Sequence, residues 1–226
     1  MNEAFKLDNP VWYSLSETHQ AFAMYEGNIK FYYHDFCPFG GFEKIENTQH
    51  NIIEYSKIAN NFFIVGERPS VPQPLQVVKE LVCLQMACLN PITTEYKEKI
   101  VQLCPADAQT LYSLVNLVQP GYFKQKTFHL GKYFGIYKNN ELVAVTGERM
   151  KMNAYTEVSA VVTHPDHIGN GYAKELVAHT VNTIFTENRM AYLHVAETNT
   201  AAINLYKKLG FETRRKISFW NIISGK

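Results

Sequence analysis

The sequence predicts an α/β protein (mixed α+β) preceded by a smaller N-terminal α+β domain. From residue 133 onward, strand patterns and helix patterns alternate along the chain, which is typical of α/β folds. Residues 69–74 (PSVPQP) contain three prolines and form a break that neither a helix nor a central strand tolerates. We therefore expect an N-terminal α+β domain over residues 1–95 and a larger α/β domain over residues 97–226.

The composition is that of an ordinary globular protein. Of the 226 residues 46% are hydrophobic, and 22 Lys and Arg against 21 Asp and Glu give a net charge of +1. Without a basic excess, a general nucleic-acid-binding surface is not expected. No apolar run approaches the ~18 residues of a membrane span, and the first eight residues (MNEAFKLD) lack the apolar stretch of a secretion signal. The sequence predicts a cytoplasmic protein with neither nucleic acid nor membrane as a partner.

The four cysteines form no C-x-x-C pair and show no repeated spacing. Neither a disulfide framework nor a zinc site is indicated. Cys37 was weighed as a nucleophile, but only His34 stands near it to lower the pKa of the thiol. The favoured interpretation is a small buried hydrophobe.

Three histidines raise the question of a metal site. His164 and His167 are three residues apart and His194 lies on a later predicted strand. A metal site is not favoured, because no carboxylate or cysteine completes a tetrahedral ligand set. The run His164-Pro165-Asp166 is better interpreted as a turn.

The N-terminal domain gives weaker signals. A hairpin is expected around residues 26–28, with strands over 29–33 and 62–65. After the proline-rich break, apolar residues recur at helical spacing until Asn90-Pro91. They predict a helix over residues 75–89.

The C-terminal domain is patterned more regularly. A turn at Asn139-Asn140 predicts a tight hairpin, and Gly210 is the expected left-handed cap of the last helix. The predicted elements are a helix opened by Pro105 and ending before Pro120, strands over 133–137, 142–150 and 155–162, a helix over 172–187, a strand over 190–196, a helix over 200–209 and a strand over 214–222. On the terminal strand, Phe219-Trp220 are predicted to form part of a dimer edge, and a homodimer is possible.

The segment 161–174 (VVTHPDHIGNGYAK) carries the most chemistry. A strand leads through a polar turn and a glycine-rich loop into an amphipathic helix. In this arrangement, several backbone N–H groups without acceptors point out of one concave loop. The positive end of the helix dipole adds to their attraction for an anion. Gly169 and Gly171 allow unusual dihedral angles and a close approach by a ligand. The small side chain of Ala173 leaves room for a ligand at the first turn of the helix. The loop is predicted to hold a phosphate; the alternative is an ordinary glycine turn that feeds a helix.

Two known phosphate motifs do not fit this loop. Lys174 stands where a dinucleotide-binding fingerprint needs a third Gly or Ala. A P-loop requires Gly-Lys followed by Ser or Thr, and the sequence contains no such run.

Three stretches resemble the GNAT superfamily of N-acetyltransferases, over about residues 97–226. The loop 168–173 (IGNGYA) is similar to the superfamily pattern of Gln or Arg, two residues, Gly, one residue, then Gly or Ala, except that Ile168 replaces the usual Gln or Arg. Residues 193–211 (LHVAETNTAAINLYKKLGF) are similar to its strand, Asn, Ala-Ile-x-Leu-Tyr helix and Leu-Gly-Phe ending. Residues 142–165 resemble a bacterial subgroup of small-molecule acetyltransferases.

The resemblance implies a mostly antiparallel central sheet flanked by helices. It also implies that acetyl-coenzyme A lies in a gap between the strand at 159–163 and the strand at 193–196, where an amide near Val161 or Val162 polarises the thioester carbonyl. The expected cofactor-binding residues are Val161, Val162, Thr163, Ile168, Gly169, Asn170, Gly171, Tyr172, Ala173, Lys174, Asn199, Ala202 and Tyr206.

Two proton transfers need donors and acceptors. Tyr206 matches the superfamily's tyrosine that protonates the departing thiolate, a reasonable role because the reference pKa values of phenols and alkyl thiols are close; the alternative is a core aromatic on an amphipathic helix. Glu157 is the first choice of base, because it is expected to share a strand face with Val161. Glu148 is the second choice. Either glutamate could instead be a solvated charge, and His194 is a candidate acceptor contact or proton relay.

The resulting interpretation is an acetyl-coenzyme A-dependent N-acetyltransferase. The acetyl group is expected to pass directly to the primary amine of a small molecule or peptide. A non-catalytic acyl-coenzyme A sensor remains the alternative, because of Ile168 and the uncertain base. The N-terminal region, rich in aromatics over 31–42, is expected to shape one wall of the acceptor site.

Overall fold

The structure, a computed structural model, describes residues 3–25 and 27–225 and contains helices packed on a long sheet. The strands are β1 (Ala23–Met24), β2 (Ile29–Tyr32), β3 (Phe39–Phe42), β4 (Asn61–Val65), β5 (Leu75–Cys88), β6 (Ile100–Gln102), β7 (Tyr133–Lys138), β8 (Glu141–Lys151), β9 (Tyr155–Thr163), β10 (Met190–Ala196) and β11 (Phe211–Ser224). The α-helices are α1 (Pro10–Ser16), α2 (Gln49–Ser56), α3 (Ala108–Val118), α4 (Tyr172–Thr186) and α5 (Thr200–Lys208). No helix in the described ranges combines the length and apolar character needed to cross a membrane.

The strands form a single mixed sheet. Their spatial order is β1-β2-β3-β4-β11-β5-β10-β9-β8-β7-β6. Only the β3–β4 and β9–β10 pairs are parallel among these neighbours. The predicted fold class, a mixed and mostly antiparallel sheet flanked by helices, is confirmed.

The helix predicted over residues 75–89 is wrong, because this segment is the 14-residue strand β5. β5 lies between β11 and β10 in the middle of the sheet, and most of its last six residues are buried. A strand covered on both faces loses the alternation that identifies strands. Its Leu, Met and Gln residues also favour helices intrinsically, so the apolar spacing imitated a helix.

β5 joins strands from both sides of the predicted domain boundary. Met86 pairs with Leu193 of β10, and Leu81 pairs with Phe219 of β11. One hydrogen-bonded sheet therefore contains strands from residues 1–95 and from residues 97–226. The division into two domains at that position stays a prediction.

Most predicted turns and caps are present. Asn139 and Asn140, with φ of 49° and 67°, connect β7 to β8, and Gly210, with φ of 89°, follows α5. The helix predicted from Pro105 begins as a 3-10 turn, Pro105–Asp107, and continues as α3. β1 and β2 form the N-terminal hairpin, although Glu26 in its turn lies outside the described residues.

The predicted edge at Phe219-Trp220 is wrong. β11 pairs with β4 on one side and β5 on the other, so its backbone has no free edge at these residues. Phe219 is buried, and Trp220 Nε1 donates to Gly66 O at 3.0 Å. The last strand of the chain need not be an edge strand of the sheet. A homodimer stays a prediction, but these residues do not offer a free strand edge for it.

The two faces of the sheet carry different helices. On one face, α4 and α5 cover β5, β9 and β10 through a buried apolar cluster that includes Met86, Val158 and Leu193. On the other face, α3 packs on Val145 and Val162, and α1 packs on a cluster that includes Phe219. An opening between strands would therefore connect two differently lined surfaces.

Substitutions in β5 test its position in the sheet. Met86 is fully buried, whereas Val78, at the register shift between β5 and β11, is 47% exposed. We expect Met86→Ala to lower the free energy of unfolding by about 2–5 kcal/mol, because it leaves a cavity in the core. Val78→Ala should cost less than about 1 kcal/mol. Urea denaturation of both variants checks this, and equal losses would contradict the strand.

Candidate active site

A gap opens between the parallel strands β9 and β10. The two strands pair only where Tyr155–Glu157 lies beside Met190–Tyr192. Further along, within the described residues, β9 keeps its pairing with β8 alone. The register with β8 shifts between the Val145–Val162 and Gly147–Ser159 pairs, and Ala160 there has a φ of 51°. This β-bulge bends β9, and it lies where the separation from β10 begins.

The bulge also changes which side chains share a face. Val161 packs in the same cluster as Val158, on the α4 and α5 side, while Ala160 and Val162 pack toward α3. Regular alternation would have placed Val161 with Glu157. The expectation that these two share a strand face is therefore wrong, because the extra residue at the bulge reverses the pattern.

Backbone direction distinguishes the candidate amides. His164 N–H donates to Val143 O of β8 at 2.8 Å, and N–H groups along a strand point alternately to its two edges. The Val162 amide therefore points to β8, where Val162 lies opposite Val145. The amides of Val161 and Thr163 point into the gap. Of the two amides expected to polarise a carbonyl, the geometry favours that of Val161.

A cleft of about 180 Å³ passes through this gap and reaches both faces of the sheet. Side chains from the α5 side and from the α3 and N-terminal side contribute to it. Lining residues on the first side are Val158, Val161, Val195, Asn199, Ala202 and Tyr206. On the second side they include Phe39, Leu81, Cys83, Val115, Tyr122, Phe123, Arg149, Glu157, His194 and Phe219. Three residues of the predicted N-terminal region, Phe39, Leu81 and Cys83, thus form part of its wall.

The loop before α4 presents a run of unpaired amides. The N–H groups of residues 169–173 have no acceptor in the described part of the chain. Gly169 and Gly171 have φ of 91° and 81°, and a Cβ at either would meet no atom within 4 Å. Gly171 is the N-cap of α4 and supplies no side-chain cap. Amides of this kind at a helix N-terminus suit an anion, so the residues fit a phosphate group.

Side chains hold this loop in place. His164 Nδ1 accepts from Asp166 N at 3.3 Å, as expected of a turn-forming histidine. Asn170 Nδ2 donates to His167 O at 3.0 Å. Tyr172 is buried, so its predicted contact with a cofactor can come only from its backbone. These local hydrogen bonds hold the loop geometry.

The remaining predicted loop side chains face solvent. Ile168 is 71% exposed, and Lys174 is exposed beside the half-buried Ala173. The Ile168 side chain is apolar, and the Lys174 ammonium has no hydrogen-bond or ion-pair partner in the described part of the chain. A ligand on the loop would meet backbone amides and these two side chains.

Tyr206 lies in the cleft on the α5 side. It is 7% exposed, and burial raises the pKa of its phenol to about 12. Its hydroxyl has no hydrogen-bond partner among the described residues, so its proton is available to a ligand. Asn199 caps α5 by accepting from Ala202 N at 3.1 Å and so fixes the start of the helix that carries Tyr206.

Glu157 lies in the cleft, as expected, but it is fully engaged. Its Oε2 accepts from Arg149 Nε at 2.8 Å, and its Oε1 accepts from Arg149 Nη2 at 2.9 Å. Oε1 also accepts from His194 Nδ1 at 2.8 Å, and Met150 N approaches Oε2 at 3.5 Å. The Glu157 side chain is 1% exposed. A bidentate pair of this kind is among the stronger hydrogen-bonded arrangements in proteins.

These contacts do not favour Glu157 as a base. Burial alone would raise the pKa of the carboxyl, but Arg149 and His194 together lower it to about 2. A general base works best when its pKa lies near the operating pH. Glu157 is better suited to position Arg149 than to remove a proton from an amine.

His194 belongs to a chain of hydrogen bonds. Gln85 Nε2 donates to His194 Nε2 at 3.1 Å and to Leu7 O at 2.7 Å. Arg214 Nη1 donates to Gln85 Oε1 at 3.2 Å, which fixes the orientation of the Gln85 amide. His194 Nε2 must then accept, and the ring proton is assigned to Nδ1, which donates to Glu157. His194 lines the cleft, but neither ring nitrogen is free to relay a proton.

Glu148 is not brought into the cleft. Its side chain is fully buried, and Oε2 accepts from Lys132 N at 3.0 Å and from Lys151 Nζ at 2.7 Å. Glu148 follows Gly147, where the pairing of β8 with β9 continues on the far side of the register shift. Its side chain lies beside Gly131. The second choice of base therefore does not line the cleft, although it lies opposite Val158 in the sheet.

The other side-chain chemistry considered is structural. Within residues 3–25 and 27–225, no group of three or more His, Cys, Asp or Glu is arranged to hold a metal ion. Cys37 is buried, and burial raises the pKa of its thiol to about 12. Such a thiol is a weak nucleophile, in agreement with the favoured interpretation.

Sequence reasoning missed three residues of the site. Arg149 and Gln85 are polar side chains inside otherwise apolar strands, and such residues need buried partners. The signal available in the sequence was therefore a polar residue within a segment expected to be buried. Phe39, whose ring centroid lies 4.7 Å from Arg149 Cζ, lies in the aromatic-rich segment 31–42 that was expected to form a wall of the acceptor site, but its contact with Arg149 had no sequence signal.

Comparisons with known proteins agree with this geometry. A family model described as FR47-like protein matches residues 133–220. A proposed acetyltransferase from the GNAT family of Novosphingobium aromaticivorans is 26% identical, with a TM-score of 0.86 over 97% of this chain and 99% of that one. A GCN5-related N-acetyltransferase from Kribbella flavida is 13% identical, with a TM-score of 0.65 over 100% of this chain and 97% of its own. Among curated proteins, no significant match is found.

A third solved structure shares the fold. A GCN5-related N-acetyltransferase-like protein from Streptococcus suis is 13% identical, with a TM-score of 0.60 over 93% of this chain and 92% of that chain. Together with the gap, the loop and the family model, these likenesses define the class. That class is the GNAT fold, which supports acyl transfer generally.

The Glu157 ion pair predicts a pH-dependent stability. A carboxyl whose folded pKa is about 2 instead of 4.5 stabilises the fold above pH 4.5 and loses this contribution as the pH falls toward 2. We expect Glu157→Gln to lower the free energy of unfolding at neutral pH by about 3–5 kcal/mol, because Arg149 loses its partner. The variant should also lose stability less steeply than the wild type between pH 4.5 and 2.

Denaturant unfolding over this pH range provides the measurement. Glu141→Gln is the matched control, because Glu141 is an exposed carboxylate at the start of the neighbouring strand. Identical pH profiles for Glu157→Gln and the wild type would show that the pair does not carry the assigned energy.

Proposed function

We propose that this protein transfers an acetyl group from acetyl-coenzyme A to the amine of an acceptor by direct attack in a ternary complex. The observation that carries the proposal is the gap between β9 and β10, which begins at the Ala160 bulge and continues toward the loop before α4. Beyond Glu157 this edge of β9 does not pair with β10, and the amides of residues 169–173 at the loop have no acceptor in the described part of the chain. The N-terminal wall of the same cleft would face the acceptor.

The residues of the loop and gap fit coenzyme A. The amides of residues 169–173 would hold the pyrophosphate, since they converge at the N-terminus of α4 and lack acceptors. The amides of Val161 and Thr163 would bind the thioester arm along the open edge of β9. When bound, acetyl-coenzyme A supplies an activated acetyl thioester.

Two groups in the cleft would assist the transfer. The Val161 N–H would donate to the acetyl carbonyl oxygen and stabilise the negative charge that develops there. The Tyr206 hydroxyl would donate its proton toward the departing sulfur. Its raised pKa of about 12 keeps it protonated, and the burial responsible also raises the pKa of a thiol at that place.

The acceptor amine would lose its proton before it attacks. Glu157 has no free acceptor position and His194 has no free ring nitrogen. The amine would therefore have to react in its neutral form, and the rate should rise as the pH approaches the pKa of the amine. The Glu157 carboxylate then serves to hold Arg149, and solvent takes the proton.

Substitution of a loop glycine tests the cradle. We expect Gly171→Ala to weaken acetyl-coenzyme A binding at least tenfold, because a φ of 81° strains an L-residue and the new methyl group projects beside the amides. Calorimetric titration measures the affinity. Gly66→Ala is the matched control, since Gly66 has a φ of 112° and similar open space but lies after β4. Equal affinities for the two variants would rule out the cradle.

Replacement of the phenol separates an enzyme from a sensor. We expect Tyr206→Phe to retain acetyl-coenzyme A affinity and to lose kcat by about 100-fold, because only the transferred proton is removed. Tyr13→Phe on α1, outside the cleft, is the control. A thiol-release assay over a panel of amines gives the rates. A wild type that binds the thioester but releases no thiol with any amine would favour the sensor.

A further inference from the structure

Arg149 offers the cleft hydrogen-bond donors that no protein group uses. A guanidinium has five N–H groups, and here Nε and Nη2 each donate one to Glu157. The other three, two on Nη1 and one on Nη2, have no acceptor in the described part of the chain. The Arg149 side chain is 13% exposed and lines the cleft. Its free edge therefore meets the space that the acceptor would enter.

The guanidinium is held in one orientation. Glu157 binds one edge through two hydrogen bonds, and the Phe39 ring packs against the group, with its centroid 4.7 Å from Cζ. Burial alone would lower the pKa of Arg149, but Glu157 raises it above its ordinary value. The group stays charged, and its outer fork is preorganised.

Glu157 does not compete for a ligand. Both of its oxygens already accept from Arg149, and Oε1 accepts from His194 as well. The charged group that this part of the cleft offers to a ligand is therefore a cation with free donors, and the neutral side chains of Gln119, Tyr122 and Ser159 also line the cleft. An apolar or cationic ligand group would leave these donors unpaired in a largely buried place, which is costly. A neutral carbonyl would accept from them through one oxygen, whereas a carboxylate offers two charged oxygens.

We infer that the acceptor carries a carboxylate in addition to its amine, and that the outer edge of Arg149 binds this carboxylate through two parallel hydrogen bonds. The inference rests on the proposed function, since it names the class of amine that the same cleft takes. Arginine is well suited to planar, bidentate recognition of a carboxylate.

The surroundings of Arg149 narrow the class further. Phe39, Leu81 and Phe219 line the same side of the cleft, together with Tyr122 and Phe123. These side chains favour an apolar substituent on the ligand. The expected acceptor is thus a small amino carboxylate with an apolar body, such as a free apolar amino acid. A peptide N-terminus lacks a carboxylate beside its amine.

A binding experiment on the wild-type protein tests the inference without needing turnover. The N-acetyl derivatives of leucine, phenylalanine and 4-aminobutyrate are each compared with the corresponding primary amide, by calorimetric titration in the presence of coenzyme A. The acid should bind roughly 10- to 100-fold more tightly than its amide in at least one pair, because hydrogen bonds between charged partners are strong. Equal affinity within every pair, or no binding by any acid, would overturn the inference.

Substitution of Arg149 then tests which residue is responsible. The preference for acid over amide should fall about tenfold in Arg149→Lys, which keeps the charge and loses the fork, and should disappear in Arg149→Gln. The ratio is measured within one preparation, so partial unfolding does not change it. Arg68→Lys is the matched control, because Arg68 packs on Trp220 outside the cleft. An unchanged ratio of acid to amide affinity in the Arg149 variants would overturn the assignment of the carboxylate to Arg149. If these variants do not fold, the comparison of acids with amides on the wild-type protein decides.

Thiol-release assays with the free amines separate this inference from the proposed function. Release with amino acid amides but not with the acids would overturn the carboxylate site and leave amine acetylation standing. Tight binding of the acids, with no thiol release from acetyl-coenzyme A by any amine, would support the carboxylate site and overturn the proposed function.

Discussion

The short pairing between β9 and β10 is the constraint on which the rest of the site depends. Three residues of each strand pair, and then the Ala160 bulge bends β9 away. Unpaired backbone groups inside a protein are costly unless something satisfies them. Amides left free at the centre of a sheet are therefore available to a ligand, and the GNAT fold of this chain supplies the helix terminus beside them.

A second set of interactions ties the acceptor side of the cleft together. Hydrogen bonds run from Arg214 through Gln85, His194 and Glu157 to Arg149. These five residues lie on β11, β5, β10, β9 and β8, which are consecutive strands of the sheet. Apart from the outer edge of Arg149, the polar groups in this chain of hydrogen bonds have partners, so the network is favourable although it is buried. It fixes the protonation pattern that leaves only the outer edge of Arg149 available.

The position of β5 links the N-terminal region to this network. Gln85 lies on β5, between the strand of Arg214 and the strand of His194. Its amide also donates to Leu7 O, and Phe39 packs on Arg149. The N-terminal residues therefore position the charged groups of the cleft in addition to covering it.

Local signals predicted most of the elements that build the site. Asn139-Asn140, the glycine loop before α4 and the Asn199 cap have short-range causes, and the structure places each as expected. The helix expected at β5 was wrong because a strand buried on both faces has no period of two. Arg149 pairs with a residue only eight positions away, yet its role depends on strands that meet after folding. The bulge at Ala160 had no sequence signal, and it decided which amides and side chains face the gap.

Amide hydrogen exchange with and without acetyl-coenzyme A measures most directly whether these free amides hold the ligand. The proposed site predicts slower exchange on addition of the ligand in two segments, residues 159–163 on β9 and residues 168–174 at the start of α4, with little change in α1 and α2. Protection confined to other segments, or none at saturating ligand, would contradict it.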